Sequence, residues 1–154
     1  LNQEDLRTLS RRYPNAKFII AHFGRSYCPE VAEKGLTDVV DLPNFYFDTA
    51  MVLNAGVFKI AFQRIDPARI LYGSDFPICL FRGKHICENG QSVWVAPKRY
   101  VCPRIRQVEG NFVFALYEQL LAMQQAMEEL SMPRDAMEAI FYGNGKRLIE
   151  SVQA

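Results

Sequence analysis

The sequence has no long hydrophobic run. Its unbroken apolar stretches are only a few residues long, whereas a membrane-spanning helix needs roughly 20. It also has no excess of charge of one sign, because 18 Lys and Arg stand against 17 Asp and Glu, for a formal net charge of +1. No basic field favours nucleic acid. We therefore expect a small-molecule partner and neither nucleic acid nor a membrane, and self-association into a homo-oligomer is left open.

Cysteine pairs with metal-site spacing are also missing. The four cysteines are irregularly spaced and include no Cys-x-x-Cys pair, so a zinc knuckle is not favoured. Free thiols in a cytoplasmic protein are the expectation, although Cys87 and Cys102 share one polar loop in which a disulfide could form. No Gly-x-Gly-x-x-Gly follows a strand, which speaks against a dinucleotide-binding fold.

What the sequence does contain is a buried strand that ends on an acid. Residues 69–77 run from an apolar stretch into Gly73, Ser74 and Asp75, and Pro77 closes the segment. A short continuous apolar run is typical of a strand in a parallel sheet. Asp75 then lies at the carboxyl end of the strand, where α/β folds bind ligands and carry out catalysis.

Two further strands have the same design. Residues 17–22 end on His22 and residues 45–48 end on Asp48, so the three ionisable residues follow one another at intervals of 26 and 27 residues. Helices are predicted between them, at about 29–42 and 56–65. Three strand–helix units of nearly constant length predict parallel β/α architecture, either a barrel or an open doubly wound sheet.

The remainder of the chain divides into a loop and a helical end. Residues 78–110 are predicted to be a long loop insertion without regular structure, which could cover the Asp75 end of the strand. A helix over about 112–130 follows, then a pair over 133–142 and 144–152 in which Gly143 ends the first and Asn144 caps the second. At the other end, Asn2 is predicted to cap the first helix.

Four short motifs, in order, resemble a known family. The chain is similar to the C-terminal part of an amidohydrolase-related, metal-dependent hydrolase of the TIM-barrel type, a group that includes carboxymuconate-semialdehyde decarboxylases and dicarboxylate lactonases. The motifs are His22-Phe-Gly, Asn44-Phe-Tyr-Phe-Asp48-Thr, Arg69-Ile-Leu-Tyr-Gly-Ser-Asp75-Phe-Pro and Ile140-Phe-Tyr-Gly-Asn144-Gly-Lys-Arg-Leu.

The resemblance implies roles for particular residues. It implies that the three strands are strands six to eight of a (β/α)8 barrel and that residues 1–154 are a partial barrel domain within a longer protein. Asp75 would bind a divalent metal, usually zinc, and act as general base or acid, while His22 would bind a second metal or orient the attacking water. Arg25 and Arg82 each follow a strand and suit a carboxylate substrate, because the guanidinium fork binds carboxylates bidentately. Asp48 is expected to structure its loop, and Tyr27 and His85 are weaker candidates, with His85 solvated or a proton shuttle.

The chain departs from the family in its histidines. It has two, and no His-x-His pair, so we expect this portion alone to bind metal weakly or not at all. The leading hypothesis is hydrolysis of a C–N or C–O bond in a small carbonyl or carboxylate compound. Non-oxidative decarboxylation is the alternative within the same family. A non-catalytic fragment or binding module, or an open doubly wound binding domain, is the alternative outside it.

Overall fold

The structure is a computed structural model that describes residues 3–37, 39–100 and 102–152. It contains two three-stranded sheets and the helices that pack around the first of them. The helices are α1 (Gln3–Arg12), α2 (His22–Arg25, a single distorted turn), α3 (Pro29–Gly35), α4 (Ala55–Arg64), α5 (Ala115–Glu129), α6 (Arg134–Glu138) and α7 (Asn144–Glu150), and the strands are β1 (Phe18–Ile20), β2 (Phe45–Asp48), β3 (Ile70–Leu71), β4 (Lys84–Glu88), β5 (Gln91–Pro97) and β6 (Ile105–Val108).

The first sheet is parallel, with the strand order β1-β2-β3. Phe18 lies opposite Phe45, and Phe47 lies opposite Ile70. Phe45, Phe47 and Ile70 are fully buried. The strands predicted at 17–22, 45–48 and 69–72 are present as β1, β2 and β3, as their nearly continuous apolar runs indicate, although β1 and β3 are shorter than predicted.

The hydrophobic core lies between this sheet and the helices, where α4 packs against α3 and α5. Its largest members include Phe23 and Phe58, whose rings meet edge to face at 5.8 Å. Met123 and Met127 of α5 are buried in the same core, as the helical spacing of the methionines predicts. This core supports the ends of the three strands.

Some helix boundaries differ from the prediction. The helix predicted over 29–42 ends at Gly35, since glycine is a poor helix former, and the helix predicted from 112 begins at Ala115. The C-terminal pair is continuous: a π turn over Ala139–Gly143 joins α6 to α7. Gly143 has an ordinary helical φ of −60° and does not end a helix. The predicted cap at Asn2 lies outside the described residues.

Asn144 was also wrongly predicted to be a helix cap. Its buried side-chain amide donates to the carbonyl oxygens of Pro67 and Ile70, at 2.7 Å in each case. The C-terminal helix is therefore attached directly to β3 and to the turn before it.

The predicted unstructured insertion at 78–110 is wrong. Most of it forms the second sheet, in which β4 and β5 are antiparallel and β5 and β6 are parallel. The β4–β5 hairpin turns at Asn89 and Gly90, whose φ values of 50° and 73° are both positive. Two successive positive φ values are the requirement of the tight hairpin turn that Asn-Gly favours. We call β4–β6 the inserted sheet.

The expectation of four free thiols is wrong for two of them. Cys28 and Cys87 form a disulfide between positions 59 residues apart, with a Cα–Cα distance of 5.8 Å. Cys79 and Cys102 are free, so the suggested Cys87–Cys102 bond does not form. The disulfide attaches β4 of the inserted sheet to the segment after β1. The thiol argument for a cytoplasmic location therefore rests on Cys79 and Cys102 alone.

Within the described ranges, every helix is too short or too polar to cross a membrane.

Candidate functional site

The loops at the carboxyl ends of β1, β2 and β3 share an unusual backbone. His22, Met51 and Asp75 have φ values of 56°, 53° and 58°, in the left-handed region that non-glycine residues rarely adopt. Such conformations cost free energy and cluster at functional sites. Strained positions after all three strands mark this edge of the parallel sheet as the candidate site.

His22 and Asp48 meet at this edge. The carboxylate oxygen Oδ1 of Asp48 accepts hydrogen bonds from the backbone N–H groups of His22, at 2.7 Å, and of Ala50, at 3.0 Å. Asp48 thus structures its loop, as predicted, and it also holds the strained loop after β1.

The contacts of His22 set the tautomer of its ring. Nδ1 lies 2.9 Å from the carbonyl oxygen of Ala50 and 4.0 Å from the Asp48 carboxylate. A carbonyl oxygen can only accept a hydrogen bond, so Nδ1 carries the proton. In the neutral ring Nε2 is then free to accept a proton or bind a metal.

Asp75 follows β3 and is exposed. Its backbone carbonyl accepts a hydrogen bond from Cys79, at 3.2 Å, which fixes the turn. In the described part of the chain its carboxylate has no hydrogen bond or ion pair, and its charge acts on Tyr27. The carboxylate is therefore available to a ligand.

Tyr27 interacts with both Arg25 and Asp75. Burial is the largest cause that raises the pKa of the Tyr27 phenol. The charge and hydrogen bond of Arg25 lower the pKa, while the charges of Asp75 and Asp48 raise it. The phenol remains protonated at neutral pH and can donate a hydrogen bond. Of the two predicted substrate-binding arginines, Arg25 lies at this site.

Arg82 lies among different neighbours. Its backbone N–H donates to the Tyr100 hydroxyl, at 3.2 Å, and its guanidinium lies 4.5 Å from the centre of the Phe114 ring. A bridge between Arg82 and Phe114 extends the contact along the backbone. These contacts connect the start of the inserted segment with the approach to α5, and none of them involves His22, Asp48 or Asp75.

His85 was expected to be solvated, and that expectation is wrong. Only 7% of the residue is exposed, and its ring lies between Tyr27, at 4.5 Å, and Trp94, at 3.4 Å between ring centres. Neither ring nitrogen has a hydrogen-bond partner among the described residues. Burial lowers the pKa of His85 to about 3, so the ring is neutral near pH 7 and is a poor proton shuttle there.

A buried glutamine that the sequence reasoning missed joins two of the loops. Gln119 of α5 is fully buried; its amide oxygen accepts from the Met51 backbone N–H, at 3.1 Å, and its amide nitrogen donates to the Gly73 carbonyl, at 2.7 Å. It thereby ties the loop after Asp48 to the segment before Asp75. The signal was its helical spacing with Met123 and Met127 on the buried face.

The predicted metal site is incomplete in the described residues. Within 3–37, 39–100 and 102–152, no three His, Cys, Asp or Glu side chains come together in a group that could hold a metal ion. His22 and Asp75 are two candidate ligands, whereas catalytic zinc typically has three protein ligands. The side chains described here therefore do not fit a complete metal centre.

Comparison with protein families gives a match over more than half of the chain. The model of the family described as Amidohydrolase matches residues 1–90, a span that contains His22, Asp48 and Asp75 together with both predicted arginines. Comparisons with curated proteins and with solved structures gave no match.

Proposed function

The chain belongs to the amidohydrolase family, and on that basis we propose that it acts in the hydrolysis of a C–N or C–O bond in a small carbonyl or carboxylate compound. The observation that carries the proposal is the family match over residues 1–90, which spans all three strand ends and their ionisable residues. The chemistry of the site also supports the proposal, because the free carboxylate of Asp75 acts on the protonated phenol of Tyr27.

In this proposal Asp75 is the general base. A water molecule gives a proton to the Asp75 carboxylate as its oxygen bonds to the substrate carbonyl carbon. The C–N or C–O bond then breaks, and Asp75 returns the proton to the leaving group. The absence of a protein partner for this carboxylate within the described ranges supports the role.

The neighbouring residues would bind and orient the substrate. Tyr27 can donate a hydrogen bond to the carbonyl oxygen, on which negative charge develops. In its neutral form the His22 ring presents Nε2 as an acceptor, and Arg25 can hold a substrate carboxylate. Arg25 beside Tyr27 also suits non-oxidative decarboxylation, the second candidate, in which Asp75 would deliver the proton that replaces the lost carboxylate.

The metal is a separate part of the proposal. The resemblance implies a divalent ion, zinc foremost, and a bound ion of this kind would make a water molecule more acidic. Because the described residues supply only His22 and Asp75 as candidates, no step above depends on the ion.

We also propose that β1–β3 correspond to strands six to eight of a (β/α)8 barrel. Two observations support this: the strands are parallel in sequence order, and β1 pairs with β2 alone among the described strands. Ile19 of β1 is 52% exposed, which is unusual for a barrel strand and suggests that further chain would cover it. Strands that precede β1 in a barrel would supply the missing metal ligands.

The test uses the longest natural polypeptide that contains this chain. Asp75→Asn should lower kcat for small amides and lactones by about 100-fold to 10,000-fold, because it removes the general base without changing the shape of the side chain. Asp41→Asn, at another exposed acid, is the control and should change nothing. Bound metal, measured by elemental analysis, should fall in Asp75→Asn and not in the control.

An unchanged kcat in Asp75→Asn would refute the role of Asp75. No hydrolysis, no decarboxylation and no bound metal in the parent protein would favour the non-catalytic alternative.

A further inference from the structure

A cavity of about 570 Å³ lies between the loops that follow β2 and β3 and one end of the inserted sheet, where β5, β6 and the segment between them line it. Its volume is within the range of small-molecule sites, about 300–1,000 Å³. Most of its lining is apolar or aromatic and includes Met51, Ile78, Phe81, Trp94 and Tyr100.

Three of these rings form a rigid corner. The Phe81 ring meets the Trp94 ring nearly perpendicularly at 5.3 Å and the Tyr100 ring at 4.7 Å. Arranged in this way, they present both edges and faces, to which a flat aromatic ligand can pack.

Among the described residues that line the cavity, Arg104 is the one with a charged side chain. It lies in the turn before β6 and makes no hydrogen bond or ion pair with another described residue, whereas Arg106 of β6 is paired with Glu88. An unpaired guanidinium at the wall of an apolar cavity is complementary to a ligand that carries one negative charge.

The cavity adjoins the candidate site. Met51 lies in the loop that follows Asp48, and Pro77, another lining residue, lies two positions after Asp75. On the far side, the Trp94 ring packs on His85, which in turn packs on Tyr27. A ligand in the cavity would therefore extend toward the carboxylates.

We propose that this cavity is a specificity subsite for an aromatic compound with one anionic group. The ring packs into the corner formed by Phe81, Trp94 and Tyr100, and the anion pairs with Arg104. Trp94, Tyr100 and Arg104 lie beyond the residues 1–90 that match the family, whereas Phe81 lies within them, so the subsite combines a matched loop with the part of the chain that follows the match. The placement of the reacting bond at Asp75 rests on the proposed function, whereas binding in the cavity does not.

The single tryptophan makes binding directly measurable, because Trp94 lines the cavity. The probes are 4-nitrobenzoate, whose ring quenches tryptophan emission, and the neutral 4-nitrobenzyl alcohol, titrated into the whole chain. We expect the carboxylate to bind about tenfold more tightly than the alcohol, and Arg104→Gln to abolish that difference. Arg134→Gln, which removes an exposed arginine on α6, is the control of equal charge change.

Two substitutions of opposite charge at Ile78 test whether positive charge in the cavity favours binding of the anionic probe. Ile78 lines the cavity and is 56% exposed, so both Ile78→Lys and Ile78→Glu can fold. Lysine should tighten binding of 4-nitrobenzoate and glutamate should weaken it, since both remove the same apolar surface. The free Cys102, also in the lining, gives a second readout: the carboxylate should slow its reaction with a thiol reagent.

Three results would overturn the subsite: no quenching by either probe, equal affinity for the two probes, or a charge preference that persists in Arg104→Gln. Asp75→Asn separates the two proposals, because it should lower kcat for hydrolysis by the large factor given above and leave quenching intact. Quenching without hydrolysis or metal in any variant would leave the subsite standing and refute the proposed function.

Discussion

The parallel sheet and the inserted sheet are held in place by different interactions. In β2 and β3, Phe45, Phe47 and Ile70 are buried in one continuous core, and Leu71 is buried beside it. In the inserted sheet most side chains are half-buried or exposed, and its attachments to the first region include the Cys28–Cys87 disulfide and the contact of His85 with Tyr27. One region is stabilised by apolar burial, the other largely by a covalent bond and stacked rings.

This difference matters because both regions border the candidate site. Asp75 belongs to the first region, and the proposed subsite is formed jointly by the loops that follow β2 and β3 and by β5, β6 and the segment between them. If the two sheets are held by different interactions, removing the disulfide or the contact of His85 with Tyr27 should loosen the inserted sheet while the parallel sheet stays folded. A uniform response of the two sheets would show that they are one cooperative unit.

The largest effect is expected from removing the disulfide. It closes a loop of 59 residues, for which the chain-entropy account gives about 4 kcal/mol of stabilisation. In Cys28→Ser, amide hydrogen exchange should lose protection over β4–β6 while β1–β3 remain protected, and Trp94 emission should shift to the red. Cys102→Ser, at a free cysteine, is the control and should leave exchange unchanged. Equal loss of protection in both sheets would contradict the comparison.

A smaller effect is expected from His85, and it depends on pH. The folded pKa of about 3 lies below the usual 6.5 because the ring is buried, so the unfolded chain binds the extra proton. Stability is therefore complete above about pH 6.5 and is lost as the pH falls toward 3. The loss amounts to about 3 kcal/mol at pH 4.

His85→Phe should remove this acid loss. It keeps a ring between Tyr27 and Trp94 and deletes two buried nitrogens that have no described partner. Urea unfolding at pH 7 and pH 4 measures the difference, with His22→Gln as the control that retains the acid loss. A stability curve for His85→Phe that falls as steeply as that of the natural chain would assign the acid sensitivity to other groups.

The two regions also differ in how far the sequence predicts them. The three parallel strands were found because each is a short, nearly continuous apolar run, as at Phe45, Tyr46 and Phe47. The strand Lys84–Glu88 mixes Lys, His, Ile, Cys and Glu, because few of its side chains enter a core. The Asn89–Gly90 pair was a hairpin signal that indicated its turn, but the flanking strands lacked the alternation that would have supported it.

Some residues of the candidate site could be predicted from the sequence and others could not. Strand ends located His22, Asp48 and Asp75, because residues there share one edge of the sheet. The burial of His85 and the pairing of Cys28 with Cys87 could not be derived, since cysteine spacing does not determine connectivity and both depend on how the inserted sheet folds back. Those contacts are long-range and leave no local pattern.

The smallest effect is expected in the parallel region, at Gln119. Gln119→Leu keeps the size of the side chain but leaves the Met51 N–H without its partner and the Gly73 carbonyl with only the long hydrogen bond from the Thr49 hydroxyl, at 3.5 Å. Buried groups left unsatisfied should lower the free energy of unfolding by about 2 kcal/mol. Gln124→Leu is the control on the same helix, where the amide bonds only to exposed Glu128.

Comparing Gln119→Leu with Gln124→Leu tests whether the loops of the parallel region depend on a buried hydrogen bond as well as on apolar packing. Urea unfolding followed by far-ultraviolet circular dichroism should show the larger loss in Gln119→Leu, because a well-packed core cannot supply new partners to two backbone groups. If both variants lose the same small amount, water or a rearranged backbone replaces the buried amide. The loops that carry Asp48 and Asp75 would then be held by apolar packing alone, and positioning of the two carboxylates would not depend on α5.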